Sequence, residues 1–187
     1  KMFPTHSIDS APAGSKETLA AIEKGYGFLP NLAGKLAEAP TALKGFVSLA
    51  GIFSGNDTTL SPLEQQIVLV ATSAENGCDY CTAAHGMLAH KSGLGRDDVS
   101  AAQSGLPLSD PKQEALRAFT TIIVEKRGWA DEDEIQAFLD AGYTGAQVLE
   151  VVIGVAVKTI TNYVHHMSKP ELNVQFADYA VTRQAAD

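Results

Sequence analysis

The chain holds two cysteines, Cys78 and Cys81, with His85 four residues further on, in the run Ser-Ala-Glu-Asn-Gly-Cys-Asp-Tyr-Cys-Thr-Ala-Ala-His from Ser73 to His85. On a helix, at about 100° per residue, Cys81 lies about 60° behind Cys78 and His85 falls between them, so the three side chains share one stripe. Asn76-Gly77 places Cys78 at a helix N-terminus. There the free N–H groups and the positive end of the dipole stabilise a thiolate, and C-x-x-C spacing acts in the same direction. His85, one turn beyond Cys81, can take a thiol proton or pair with the thiolate. These are the parts of a reactive dithiol.

Three other readings compete for the same residues. Free cysteines can be inert members of a core, but here the chain's two cysteines fall at redox spacing with a histidine completing the stripe. Zinc takes cysteine and histidine ligands, and a structural site wants four; no second C-x-x-C supplies the rest, which leaves His165-His166 as the additional donors. A thioredoxin-type dithiol sits after a strand in a βαβ unit, whereas the flanks here read as helix. His90 falls off the stripe and reads as a surface residue, and His165-His166 suit the negative end of a helix dipole. No Walker loop, G-x-S-x-G or dinucleotide fingerprint is present.

The elements that must position these residues are helical throughout. Pro4, Pro12 and Gly14 predict an extended arm over residues 1–15. Helical spacing then runs from Ser15 to about Tyr26 and, after a break at Gly27-Phe28-Leu29-Pro30, from Pro40 to Phe53. Ser61-Pro62 with Glu64 spells a capped helix entry, and that helix ends near Asn76-Gly77. The cysteine helix reaches Ser92-Gly93; a short helix follows Arg96 and stops at Gly105; others run from Asp110-Pro111 to Gly128 and from Asp131 to Ala141. The last long helix opens at Thr144-Gly145 and closes at Ser168-Lys169-Pro170. Trp129 reads as a packing residue at a helix junction, and the acidic run from Asp131 to Glu134 as a favourable first turn. No period-2 alternation and no repeat interrupt this pattern, so the expectation is one all-α domain of seven or eight helices over 1–187.

Composition narrows the partners. Fourteen basic against 22 acidic residues leave a net charge of −8 and no Lys/Arg run, which argues against nucleic acid and anionic membrane surfaces. No uninterrupted run of 18 apolar residues is present, Val148–Val157 being broken by Glu150 and Gly154. The opening KMFPTHSIDSAPAGS has no long apolar core, so no signal peptide is read there and a cytoplasmic location is the expectation. Lys1 ahead of Met2 reads as a residue of a tag, and a leader ahead of it stays open.

The run Glu75-Asn-Gly-Cys78-x-x-Cys81-x-x-x-His85, behind a helix opening Leu60-Ser-Pro-Leu-Glu-Gln-Gln-Ile-Val, resembles the AhpD-like alkylhydroperoxidases of the carboxymuconolactone decarboxylase superfamily. The similarity is strongest over about residues 58–93, the expected redox core; Gly25-Tyr-Gly-Phe-Leu-Pro-Asn-Leu and Thr161-Asn162-Tyr163 resemble a peroxidase-related branch. The resemblance implies a compact all-helical fold, assembly into trimers or hexamers, and no bound cofactor. It also implies reduction of a peroxide substrate through a Cys78–Cys81 disulfide that an external dithiol, of lipoyl type in this family, reduces again. By position, Cys81 would be the peroxidatic thiol, Cys78 the resolving one and more open to a reductant, and His85 a member of the proton relay. Cys81 would pass through a sulfenic acid before Cys78 condenses with it.

One position departs from that pattern. The family's relay glutamate, twelve residues before the first cysteine, corresponds to Gln66, which hydrogen-bonds but takes no proton. Glu64 lies about 200° round the wheel from it. Glu75 is either the replacement by proximity or a solvated loop carboxylate, and Tyr80, where some relatives carry a relay histidine, either hydrogen-bonds near the thiols or packs. The departure keeps two alternatives to a peroxidase: a disulfide oxidoreductase, or a redox-sensing helical oligomer. Lactone decarboxylation, the superfamily's other activity, needs no redox thiols.

Overall fold

A computed structural model describes residues 2–181; Lys1 of the N-terminal arm and 182–187 of the single-domain reading lie outside the described residues. The described chain is all helical: α1 (Ala13–Tyr26), α2 (Asn31–Leu36), α3 (Pro40–Phe53), α4 (Pro62–Glu75), α5 (Asp79–Lys91), α6 (Arg96–Gln103), α7 (Pro111–Glu125), α8 (Glu132–Asp140), α9 (Gly145–Ser168) and a 3-10 helix (Val174–Tyr179). Two of these, α2 and the 3-10 helix, go beyond the seven or eight expected. Six residues are too few to show a periodic pattern or to form a stable helix alone.

The strongest start signals are the ones read from sequence. Ser61 caps α4 in a full capping box with Glu64, Pro62 standing at the first helical position, and the same box closes on Asp131/Glu134 for α8 and Thr144/Gln147 for α9. α1 begins at Ala13, two residues before the expected start, with Pro12 as its N-cap. The segment ahead of it docks along α2: His6 N–H donates to Gly34 O at 3.1 Å, and Lys35 Nζ to Phe3 O at 2.6 Å.

α4 is the central helix. Every residue from Ile67 to Ser73 is buried, because α5, α7 and α9 all pack on it. Its two hydroxyls are satisfied within the helix, Thr72 to Val68 O at 2.8 Å and Ser73 to Leu69 O at 2.7 Å. Around it Phe53, Leu116, Phe119, Phe138 and Val151 form the main core, with Phe138 stacked between Phe119 and Tyr143 at 4.3 and 4.4 Å. A second cluster, Leu32, Cys78, Tyr80, Cys81, Ala83, Met87 and Phe176, joins α2, α5 and the 3-10 helix. The two elements that sequence reasoning missed therefore form the cover of the cysteine helix.

α9 has the length and apolar composition to cross a membrane. Its Val151, Gly154, Val157, Lys158, Thr161 and Asn162 are buried within the protein. At Gly154 it approaches α3 and α4 so closely that an added Cβ would stand 2.6 Å from Val68 Cγ1 and 2.8 Å from Phe53 Cζ. Gly154→Ala is therefore expected to destabilise the fold by about 1–3 kcal/mol through overpacking. For a chain of this length that lowers the melting temperature by roughly 2–4 °C per kcal/mol; an unchanged melting curve would contradict the close packing. Trp129 does not pack at the junction expected of it: it is 83% exposed. Arg127 (φ 53°) and Gly128 (φ 86°) turn the chain out of α7 just before it.

Candidate functional site

The turn between α4 and α5 sets the cysteines. Gly77 has φ 73°, which favours glycine, and it brings Cys78 N–H to Ser73 O at 2.9 Å. Cys78 is the N-cap of α5, where its Sγ accepts the Cys81 N–H at 3.3 Å, in the place an Asp or Ser oxygen usually takes. The two cysteines are joined as a disulfide with their Cα atoms 5.3 Å apart. α9 fastens this turn through Asn162, which accepts from Asn76 Nδ2 at 2.9 Å and donates to Ser73 Oγ at 3.3 Å. On the other side Asn173 accepts from Tyr80 Oη at 2.6 Å and from Asn31 N–H at 2.9 Å, tying α2 and the 3-10 helix region to α5. Tyr80 thus both hydrogen-bonds and packs, its ring edge-on to Phe176, and burial raises its pKa.

Both cysteines are buried, Cys78 at 0% and Cys81 at 1% exposure. The expectation that Cys78 is the more open to a reductant is therefore corrected: as the N-cap it is packed beneath the turn. Cys81 lines a cavity of about 310 Å³ walled by α1, α2, α3, α5 and α9, with exposed Tyr26 and Gly51 on its border. Leu32, Leu36, Phe46, Val47 and Phe176 make its walls apolar. Cys81, His85, Lys158, Thr161 and the two tyrosines, Tyr26 and Tyr80, are its polar lining, with Lys158 and His85 in contact.

His85 of α5 and Gln66 of α4 meet across the paired helices. The Gln66 Oε1 oxygen can only accept, so His85 Nδ1 carries the proton donated to it at 2.9 Å. His85 Nε2 is then the acceptor, and Lys158 Nζ donates to it at 2.9 Å. Both ring nitrogens are engaged, and neither is free for the sulfur, as a relay histidine would need. Burial and the neighbouring Lys158 hold the His85 pKa well below its usual value, so the ring is neutral. Gln66→Glu would set a carboxylate against Nδ1 and is expected to raise the His85 pKa by about 1–3 units. The imidazole resonances in an NMR pH titration report that shift; an unmoved titration would mean that residue 66 does not face the ring.

Lys158 is the residue that sequence reasoning missed. It is 2% exposed, lines the cavity, and among the described residues no carboxylate pairs with it. Burial pushes its pKa down to about 7. A signal was present: a lysine at the register of Val151, Gly154 and Thr161 on an apolar helix face is buried or misplaced. Glu75 stands elsewhere. It is exposed at the end of α4 and borders a separate cavity with Ala71, Gln103 and Arg117, so it is not brought to His85. His165 lies against the Tyr80 ring and outside the Cys81 cavity, and His90 is exposed with Nδ1 2.6 Å from Tyr179 Oη. Among the described residues no group of three or more His, Cys, Asp or Glu could hold a metal ion.

Residues 40–122 match the carboxymuconolactone decarboxylase family. No curated protein matches the chain. Among solved structures, an uncharacterised peroxidase-related protein from Ralstonia eutropha JMP134, described as an alkylhydroperoxidase AhpD core, superposes with a TM-score of 0.81 at 23% identity, covering 93% of each chain. A peroxidase-related protein from Silicibacter sp. TM1040 gives 0.79 at 18% identity, covering 93% of this chain and 91% of that one. A cysteine-to-alanine variant of the debrominase Bmp8 in complex with 2,3,4-tribromopyrrole gives 0.77 at 16% identity, covering 95% and 94%.

Proposed function

Taking the chain as a member of the carboxymuconolactone decarboxylase superfamily with an AhpD-like fold, we propose that it is a dithiol-dependent peroxidase for hydroperoxides with an apolar body. The observation that carries this reading is a disulfide-forming Cys81 on the wall of a largely apolar cavity. In the reduced protein the Cys81 thiolate attacks the peroxide, the O–O bond breaks heterolytically, and the departing alkoxide takes a proton and leaves as the alcohol. The resulting sulfenic acid condenses with the Cys78 thiol, releasing water and restoring the disulfide.

Burial of both sulfurs supports a narrow reductant. A lipoyl-type dithiol on a flexible arm can enter the cavity and attack Cys81, expelling Cys78 as the leaving thiolate onto the Cys81 N–H. Its second thiol then resolves the mixed disulfide and leaves the reductant oxidised. Turnover of cumene hydroperoxide by catalytic protein with dihydrolipoamide tests the reading. Reversible oxidation of both thiols without turnover would replace it with the oxidoreductase or sensor alternative.

A second reading, reduction of a small halogenated ring by the same dithiol, is favoured by the aromatic and aliphatic cavity walls and by the tribromopyrrole bound in Bmp8. Bromide release from that compound separates the two. The exposed apolar residues Leu149, Val152, Tyr163 and Met167 of α9 support self-association, the homo-oligomer that the family resemblance implies, and sedimentation measures it.

A further inference from the structure

The peroxide reading, on which this inference rests, leaves one proton without a source: the one the departing alkoxide must take. His85 is the expected donor, yet Gln66 Oε1 holds its Nδ1 and Lys158 Nζ its Nε2, each at 2.9 Å. Lys158 lines the same cavity as Cys81, and among the described residues its amine is tied to one side chain, that of His85. We propose that Lys158 is the acid–base residue of this site and the counter-charge of the Cys81 thiolate, and that His85, held by Gln66, is the positioning residue that aims the Lys158 amine.

Charge and chemistry fit this division. A buried ammonium with no carboxylate beside it is costly in an apolar cavity. With the disulfide closed, burial favours the neutral amine near pH 7. When an external dithiol reduces the disulfide, two electrons enter and two protons follow. One proton goes to Cys78; the other goes to Lys158, leaving a Cys81 thiolate opposite an ammonium. In the peroxide step Cys81 gains the oxygen as a sulfenic acid, the alkoxide takes the Lys158 proton, and the amine is neutral again when the disulfide reforms with loss of water. Each state thus keeps the cavity free of an uncompensated charge. Among the described residues the amine touches the imidazole of His85 from α5 and shares the cavity wall with Cys81 and Tyr80 of α5 and Tyr26 of α1. On its own helix Thr161 adds a hydroxyl, and His165 stands near enough for the Lys158 charge to lower its pKa.

Lys158→Met and Lys158→Arg separate this role from a structural one. Thiolate absorbance at 240 nm of the reduced full-length chain, followed against pH, gives the Cys81 midpoint without reference to turnover. Lys158→Met is expected to raise that midpoint by about one pH unit or more and to slow single-turnover oxidation by cumene hydroperoxide at pH 7 by about 10²-fold. Lys158→Arg keeps a positive charge but gives up no proton; it is expected to hold the midpoint near the wild-type value while remaining slow with peroxide. A merely structural lysine would leave the midpoint unchanged whatever its effect on stability, and an unchanged midpoint in folded Lys158→Met overturns the proposal. If the midpoint shifts while wild type fails to react with any peroxide, the peroxidase reading falls and the thiolate–ammonium pairing stands.

Discussion

Cys81→Ser is expected to reduce dithiol-dependent peroxide turnover by about 10³-fold or more, to the uncatalysed background, because no other sulfur lines the cavity. Cys78→Ser is expected to abolish turnover equally but to fail at a different step. Its Cys81 still attacks the first peroxide, one thiol per chain disappears, and the sulfenic acid persists because no neighbouring thiol condenses with it. Both variants should fold. A serine oxygen at the N-cap position accepts the Cys81 N–H better than sulfur does, and residue 81 lines a cavity, so a serine there is not forced into a closed core. Peroxide consumption, with thiols counted before and after one equivalent, checks both variants. Turnover surviving in Cys81→Ser would contradict the assignment of the attacking sulfur. Loss of that one thiol in Cys78→Ser without a persistent sulfenic acid would point to over-oxidation or to disulfides between chains.

The second large effect is on stability, and it has an unusual sign. Burial lowers the Lys158 pKa to about 7 from 10.5. Between those two values the unfolded chain binds a proton that the folded chain does not. Stability attributable to this group therefore rises with pH across that window, by about 1.4 kcal/mol per unit. It is least at and below pH 7, where folding must either discharge the amine or bury its charge. Lys158→Met removes that penalty and supplies an apolar side chain of similar reach. It is expected to be more stable than wild type by about 1–4 kcal/mol at pH 7, with the advantage shrinking as pH rises towards 10.5 and the other titrating groups cancelling in the comparison. Urea unfolding of both proteins at several pH values between 7 and 10 measures the difference. A variant less stable than wild type at pH 7, or a gap that does not close, would contradict an uncompensated buried amine.

Much of this architecture can be read in the residues themselves, where local chemistry decides the outcome. Ser61-Pro62-x-Glu64 specifies the start of α4 through hydrogen bonds within four residues, and Asn76-Gly77-Cys78 specifies the turn through a positive φ and an N-cap. The meeting of Gln66 with His85 follows from the same turn, since the two stand at comparable distances on either side of it along paired helices. What escaped is what only tertiary contact makes. α2 has no periodic pattern, and its amides reach Asn173 and Tyr80, 142 and 48 residues away. Asn162 and Asn173 look like ordinary polar residues until their partners are known. Lys158 is hidden by the apolar run around it, and of the two readings open for Glu75 its nearness to Cys78 in sequence could not choose, since nearness in space alone decides between them. Trp129 failed the opposite way, being large and aromatic yet turned outward by the backbone after Gly128.

The central claim is that Cys78 and Cys81 form a reversible redox pair that peroxide reaches through the Cys81 cavity. The most direct test is a single-turnover titration: fully reduced protein, freed of reductant, receives one equivalent of cumene hydroperoxide, and free thiols and cumyl alcohol are both counted. The expected result is the loss of two thiols per chain for each alcohol formed, and full recovery of both thiols on adding dihydrolipoamide. Thiols that persist in the presence of unreacted peroxide would contradict it.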